Sequence, residues 1–421
     1  MAIDLGERLQ RLQRLGLHKG TTKLRPSPPP STGRGIEAAV EGKWVTTHYG
    51  DCFVSETHYD LHEKRGGLVL GDCFTLPPEA LASCGRDSAL ADLDLRNAAF
   101  IDTETSGLAG GTGTFVFLIG IGTHEDDHFV VRQFFMHSPA DEKATLAAVS
   151  AALDRCTGMV SYNGKAFDLP LINTRFILNR QLPHLQQAPH LDLLFPTRRL
   201  LRARLGSCTL GNVEREALGI YREQADVPGW LIPSLYRDFL RTGDAGEIGR
   251  VFYHNLIDIV SLVSLTAYLC RLFAPDRGQA TLEQISPIDR FSVGRAYQAL
   301  GWSEASERAY HLALDGALPS DVRENVLGDL ALLLKRQERR DEAARLWRQW
   351  TEEATHDPLT PLIELAKHHE WHTRDLPLAK EWTQQALHRL ETLPPSPQFS
   401  QARSELQHRL GRLQTKIAKD T

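Results

Sequence analysis

Apolar residues along this chain recur with more than one rhythm. Near the start, Leu5, Leu9, Leu12, Leu15 and Leu17 stand mostly three or four apart among Arg and Gln. That spacing predicts a short amphipathic helix over residues 1–18. Pro26, Pro28, Pro29 and Pro30 follow. A stretch with so many fixed φ angles reads as a linker, so residues 1–42 are expected to be a helix and a tether. Short β-like runs at 44–48, 53–59 and 68–74 make residues 43–95 a small sheet or a β extension of what comes next.

From residue 98 the pattern sharpens. Residues 99–104 read as a buried strand, and 114–122 and 129–135 as two further strands joined by the polar turn at 124–127. Ser138-Pro139 is a helix start, with the helix reaching about residue 156. A strand at 159–162, a helix at 167–180 and further helices follow, the last over 247–273. Hairpin-connected strands followed by alternating helices and strands predict an α/β domain over residues 96–280, a mixed sheet flanked by helices.

Beyond Pro287 the rhythm becomes purely helical and repeats. Ser306, Tyr310 and Ala313 recur as Ala343, Trp347 and Trp350, and again as Ala379, Thr383 and Ala386. Small, bulky, then small or bulky residues at i, i+4 and i+7 resemble the second helix of a tetratricopeptide repeat. Residues 287–421 are therefore expected to be an all-α tetratricopeptide-like domain, with an unrelated helical bundle as the alternative.

Composition changes this picture little. With 42% hydrophobic and 24% charged residues, the 421-residue chain can bury sizeable cores in more than one domain. No uninterrupted apolar run approaches the roughly 20 residues of a membrane span, and residues 1–18 lack the apolar core of a secretory signal. A cytoplasmic location without membrane contact is the expectation. Cys52, Cys73, Cys84, Cys156, Cys208 and Cys270 are scattered without a CxxC pair, which argues for free thiols over a zinc site or disulfide framework. The net charge of −5 is compatible with nucleic acid, because a metal-binding carboxylate cluster lowers the total while local basic patches hold phosphate.

Three segments carry candidate chemistry. In Phe100-Ile101-Asp102-Thr103-Glu104-Thr105-Ser106-Gly107-Leu108, Asp102 and Glu104 are two apart on a strand and share one face. Adjacent anions repel unless a cation lies between them, and hard oxygen donors suit Mg²⁺ or Mn²⁺. In Tyr162-Asn163-Gly164-Lys165-Ala166-Phe167-Asp168, a strand gives way to a helix that Asp168 opens; on its own Asp168 could be a helix cap. In Phe252-Tyr253-His254-Asn255-Leu256-Ile257-Asp258, His254 and Asp258 are four apart on one helical face. An unpaired Asp258 would be costly in so apolar a segment.

Other signals weigh less. Gly107, Gly110, Gly111 and Gly113 lack the following Lys-Ser/Thr of a phosphate loop. His190-Leu191-Asp192 could add a ligand, but a structural strand end is the simpler reading. Arg198, Arg199, Arg202 and Arg204 form the densest basic stretch of the α/β region, suited either to phosphate contact or to a solvated helix face. Lys165 and Asn163 lie closer to the carboxylates and are candidates to hold the phosphate backbone.

Together these segments resemble the DEDD exonucleases of the DnaQ-like superfamily, and more narrowly the YprB-type ribonuclease H-like domain. Gly110-Gly111-Thr112-Gly113-Thr114, Ser207-Cys208-Thr209-Leu210-Gly211, Val227-Pro228-Gly229 and His254-Asn255-Leu256-Ile257-Asp258 support the narrower match. The resemblance covers residues 40–390 and extends to the helical tail, in a family that includes a bacterial nuclease of mitomycin repair. It implies a ribonuclease H-like fold, with Asp102, Glu104, Asp168 and Asp258 holding two Mg²⁺ or Mn²⁺ ions. It also implies phosphodiester hydrolysis, with DNA favoured, and a protein partner on the repeats, such as a helicase. Arg198 and Arg202 join Asn163 and Lys165 as expected substrate contacts.

The family places either His five residues or Tyr four residues before the last Asp as general base. This chain has His254 at four and Tyr253 at five. His254 is preferred for its near-neutral unperturbed pKa and its shared face with Asp258. Two rival readings stand beside the exonuclease on DNA. One is an RNA-processing enzyme of the same fold, which parallel DNA and RNA substrates separate. The other is an inert repeat scaffold, which a metal-dependent digestion separates.

Overall fold

The computed structural model describes residues 34–107, 113–182, 187–222, 226–274, 278–394 and 397–420. The helix expected over 1–18, nearly all of the linker, Leu108, and Gly110, Gly111 and Thr112 lie outside the described residues. After a short helix α1 (Ile36–Ala39), the main sheet begins with β1 (Lys43–Thr47) and β2 (Gly50–Asp60). A small hairpin, β3 (Lys64–Arg65) and β4 (Leu68–Val69), and helix α2 (Pro78–Gly85) follow. The sheet continues with β5 (Ala98–Thr105), β6 (Val116–Glu125), β7 (His128–Phe135), β8 (Gly158–Ser161) and β9 (His190–Asp192).

Seven strands hydrogen-bond in the order β1-β2-β7-β6-β5-β8-β9. The pairs from β1 to β5 are antiparallel, and β5-β8 and β8-β9 are parallel. Parallel neighbours need a crossover, supplied by α3 (Glu142–Leu153) before β8 and α4 (Asp168–Leu178) before β9. The expected mixed α/β sheet flanked by helices is thus present, and β1 and β2 extend its edge. The run at 68–74 is not a long strand. After Val69 it becomes a 3₁₀ helix over Leu70–Thr75, because the Gly71 N–H turns to the Leu61 carbonyl, 2.8 Å away.

Strand alternation decides what each face carries. Ala99, Ile101, Ile119 and Ile121 pack against Leu146 and Val149 of α3 and Leu171, Ile172 and Phe176 of α4. The opposite face presents Phe100, Leu118, Phe129 and Phe135 to α7 (Ile232–Thr242) and α8 (Ile248–Cys270). Asp102 and Glu104 share the parity of Phe100 and face α8. That helix comes unusually close to the sheet. A Cβ on Gly120 would lie 2.1 Å from Ile259 Cδ1 and 2.3 Å from Asn255 Oδ1, so any side chain there would have to displace both.

Residues Ile248–Phe273 are long and apolar enough to cross a membrane by length and composition, although Arg250 and Asp258 interrupt the apolar run. In the fold 83% of an 18-residue apolar segment within it is buried, as expected of a core helix covering a sheet.

The remaining helices of the α/β region are α5 (Leu194–Leu205), α6 (Leu210–Val213) and α9 (Gly278–Gln284). Beyond them the chain is helical throughout, as expected. It runs through α10 (Pro287–Ala299), α11 (Ser303–Leu314), α12 (Ser320–Arg336), α13 (Arg340–Glu353), α14 (Thr360–Trp371), α15 (Leu376–Glu391) and α16 (Pro397–Asp420). The three repeated triplets fall on α11, α13 and α15, the second helix of each successive pair, and all nine residues are buried. Glu370 of α14, fully buried, is held by Arg409, Arg412 and Lys416 of α16.

Candidate active site

β5, α4 and α8 bring the four acidic residues singled out in the sequence into one electrostatic neighbourhood. Asp102 and Glu104 project from β5, Asp168 is the first residue of α4, and Asp258 sits one helical turn after His254 on α8. Burial, followed by the charges of Asp258, Glu104 and Asp168, holds the Asp102 carboxyl well above its ordinary range. Burial also pushes Glu104 up to about 8, with Asp258 and Asp168 adding to it against the pull of His254. Asp168 rises to about 6, again through burial and against the hydrogen bond that Thr103 donates to it. Asp258 is raised by burial despite the nearby His254 and Arg222.

Three of the four carboxylates also accept a side-chain hydrogen bond. Asn255 Nδ2 donates to Asp102 Oδ2 at 2.8 Å, and its Oδ1 accepts from Gln133 Nε2 at 2.8 Å. Thr103, pointing to the other face of the sheet, reaches Asp168. Arg222 donates to Asp258 Oδ1. Phe167 occupies the N-cap of α4 without a side-chain hydrogen bond, so Asp168 is not the cap it could have been. Among the described residues, no group of three His, Cys, Asp or Glu side chains is arranged to hold a metal ion as it stands. The donor chemistry nevertheless fits a hard divalent cation. Burial raises all four carboxylates, the charges of the others raise Asp102 and Glu104 further, and positive charge between them would relieve that repulsion.

His254 lies where the helical spacing places it. Its Nε2 is 3.5 Å from Asp258 Oδ2 and 3.8 Å from Glu104 Oε1, while its Nδ1 meets Asp226 Oδ1 at 2.7 Å. Burial disfavours the imidazolium, but the Asp226 hydrogen bond and the charges of Asp258 and Glu104 outweigh it and lift the pKa to about 9. Tyr253, one residue away, has its electrostatic contact with Tyr59 of β2.

The other candidates divide. Asp192 accepts the backbone N–H groups of Asn163 (2.8 Å), Lys165 (3.1 Å) and Leu194 (3.1 Å), and His190 Nε2 meets Ser161 Oγ at 2.7 Å. This pair shapes the turn that delivers Asp168, consistent with the structural reading. Within that turn Asn163 has φ +67° and Gly164 lies against Ser161, where a Cβ would come within 2.3 Å of Oγ. The Asn163 and Lys165 side chains are exposed. On α5, Arg198 and Arg202 are exposed, whereas Arg199 donates to the Cys84 carbonyl and Arg204 pairs with Asp289.

Sequence reading did not find Arg222, Asp226 or Glu214. They stand in a segment with no periodicity, and only the neighbouring Val227-Pro228-Gly229 marked it. All six cysteines are free.

Residues 99–270, which span the four carboxylates and His254, match the family model described as RNase_H superfamily. The chain is also 30% identical to the uncharacterized protein YprB of Bacillus subtilis (strain 168) over 344 residues, 80% of each chain. That match is longer than the α/β region alone, so it takes in helical hairpins as well. The sheet, the carboxylate face and both similarities agree: residues 99–270 are an RNase H superfamily domain, and the chain belongs to the family of Bacillus subtilis YprB.

Proposed function

We propose that this chain is a metal-dependent exonuclease of the DEDD type, hydrolysing phosphodiester bonds in nucleic acid with DNA as the favoured substrate. One observation carries the reading: four carboxylates from three separate elements crowd into one largely desolvated neighbourhood, where burial raises all four and the charges of the others raise Asp102 and Glu104 further, an arrangement that is costly without a cation. Asp102, Glu104, Asp168 and Asp258 would hold two Mg²⁺ or Mn²⁺ ions. Ions held there would supply polarisation of the scissile phosphate and a water made acidic enough to act near neutral pH.

The chain's own residues supply the rest. His254 is the proton acceptor: Asp226 fixes Nδ1, leaving Nε2 facing Glu104 and Asp258. The Asp226 hydrogen bond and the charges of Asp258 and Glu104 favour the charged imidazole, and cations held among the carboxylates would favour its accepting form. Asn163, Lys165, Arg198 and Arg202, all exposed, contact the phosphate backbone of a longer strand. The hairpins α10–α15, read as tetratricopeptide-like, offer a surface for a protein partner such as a helicase. The preference for DNA rests on the likeness to a repair nuclease.

Digestion of end-labelled DNA and RNA, with Mn²⁺ or with chelator, tests the whole reading. Stepwise shortening of DNA in Mn²⁺ and its loss in chelator is the expected result. Cleavage that persists in chelator overturns the metal mechanism, and preferential loss of RNA reverses the substrate.

A further inference from the structure

Arg222 is nearly buried beside the carboxylate cluster and carries more partners than an ordinary ion pair. Its Nε and Nη2 form a two-pronged contact with Glu214, at 2.8 and 2.9 Å, and the Glu214 side chain is only 2% exposed. Nη1 reaches Asp226 Oδ2 at 2.7 Å and lies 3.2 Å from His254 Nδ1, while Nη2 also donates to Asp258 Oδ1. A guanidinium anchored bidentately on a buried carboxylate has one orientation, and its outer edge then has fixed targets. Those targets are a carboxylate of the acidic cluster and the aspartate that holds the imidazole.

We infer that Arg222, anchored by Glu214, is a positioning residue that sets both Asp258 and the Asp226–His254 pair for catalysis. The inference rests on the nuclease reading above. Arg222 takes Oδ1 of Asp258 and leaves Oδ2, the oxygen nearer His254 Nε2, free to bind a cation. Through Asp226 it fixes which imidazole nitrogen faces the acidic cluster. One cation thus orders two elements of the chemistry without touching substrate, as the outer partners of metal ligands commonly do.

The test uses the full chain, with Mn²⁺ alone as the binding probe and end-labelled DNA as substrate. Arg222→Gln is expected to weaken Mn²⁺ binding by about 10–100-fold. It should lower kcat while leaving KM nearly unchanged, with a native circular dichroism spectrum. Glu214→Gln should act in the same direction through loss of the anchor. Arg222→Lys should fail to restore either quantity, because one ammonium cannot reproduce the fork.

Unchanged Mn²⁺ affinity in folded Arg222→Gln overturns the inference. Tighter binding also overturns it, because Arg222 would then only be occupying the cation's place. If Arg222→Gln does not fold, Arg222→Lys decides, and wild-type Mn²⁺ affinity in that variant overturns the inference. Should the wild-type chain bind Mn²⁺ but cleave nothing, the nuclease reading falls, and the affinity comparison still decides the role of Arg222.

Discussion

Arg204 on α5 and Asp289 on α10 form an ion pair, Nε to Oδ2 at 2.6 Å, that ties the α/β domain to the first helical hairpin. The Asp289 side chain is 1% exposed. The Tyr297 hydroxyl donates to the Leu272 carbonyl, and Val293, Ala296 and Tyr297 share a core with Ile259 and Leu269. The first hairpin therefore completes the core that carries the acidic site.

This packing moves the expected point of separation. A chain ending near Asp276 should lose cooperative unfolding, whereas one ending near Asp315, after α11, should keep it together with metal-dependent cleavage. Arg204→Met, which leaves the buried Asp289 uncompensated, should cost about 3–5 kcal/mol in urea unfolding. A fully stable 1–276 fragment would mean that the hairpin only rests on the domain.

Asp102→Asn, Glu104→Gln, Asp168→Asn and Asp258→Asn should each abolish cleavage, since residues that act as a unit are not additive. Without metal the same changes should stabilise the protein. Glu104 is raised from 4.5 to about 8 in the fold. In chelator the unfolded chain therefore releases this proton first, and stability should fall as pH rises from about 4.5 to about 8. Urea unfolding at the two ends of that window should show the slope in wild type and a shallower one in Glu104→Gln. Added Mn²⁺ should offset the loss at the upper end.

His254→Ala should lose about 10²–10⁴ in rate, the usual range for a general base, while Tyr253→Phe stays close to wild type. Single-turnover cleavage at saturating Mn²⁺ separates the two. A crippled Tyr253→Phe beside an active His254→Ala would exchange their roles.

In the helical region, Glu324 accepts the backbone N–H groups of Thr355 (2.6 Å), His356 (2.9 Å) and Asp357 (2.8 Å), and the Trp350 indole at 3.3 Å. Burial opposes its charge, but these donors outweigh it and lower its pKa from 4.5 to about 2. Its contribution is complete above about 4.5 and should fade as pH falls toward 2. Glu324→Gln turns an NH₂ toward bound donors in either amide orientation, at a cost of about 1–3 kcal/mol. Trp350 fluorescence during thermal unfolding reports it, and equal midpoints for both proteins at neutral pH would contradict that contribution.

Patterns within one element were legible in the sequence; relations between distant elements were not. Asp102 and Glu104 declared a shared face because strand geometry has a period of two, and His254 and Asp258 did so through the helical turn. The nine repeat positions were readable because equal spacing carried them to equivalent places on α11, α13 and α15. The basic stretch on α5 stayed ambiguous because its arginines point in different directions: Arg199 and Arg204 are spent on protein partners, and Arg198 and Arg202 face outward. Arg222 lies 36 positions from Asp258 and Asp226 lies 28 from His254, and no local rule joins such pairs.

Gly120 bears on how relatives of this protein should be read. With no Cβ there, α8 settles low enough for Asn255 to bridge to Asp102 and for Asp258 to face β5. The hold on Asp102 is thus set partly by a residue with no functional group. A homologue that keeps all four carboxylates but has a larger residue at this position must displace the Ile259 and Asn255 side chains, and with Asn255 its bridge to Asp102. Counting acidic residues would score that homologue as intact, although its first carboxylate would be held differently.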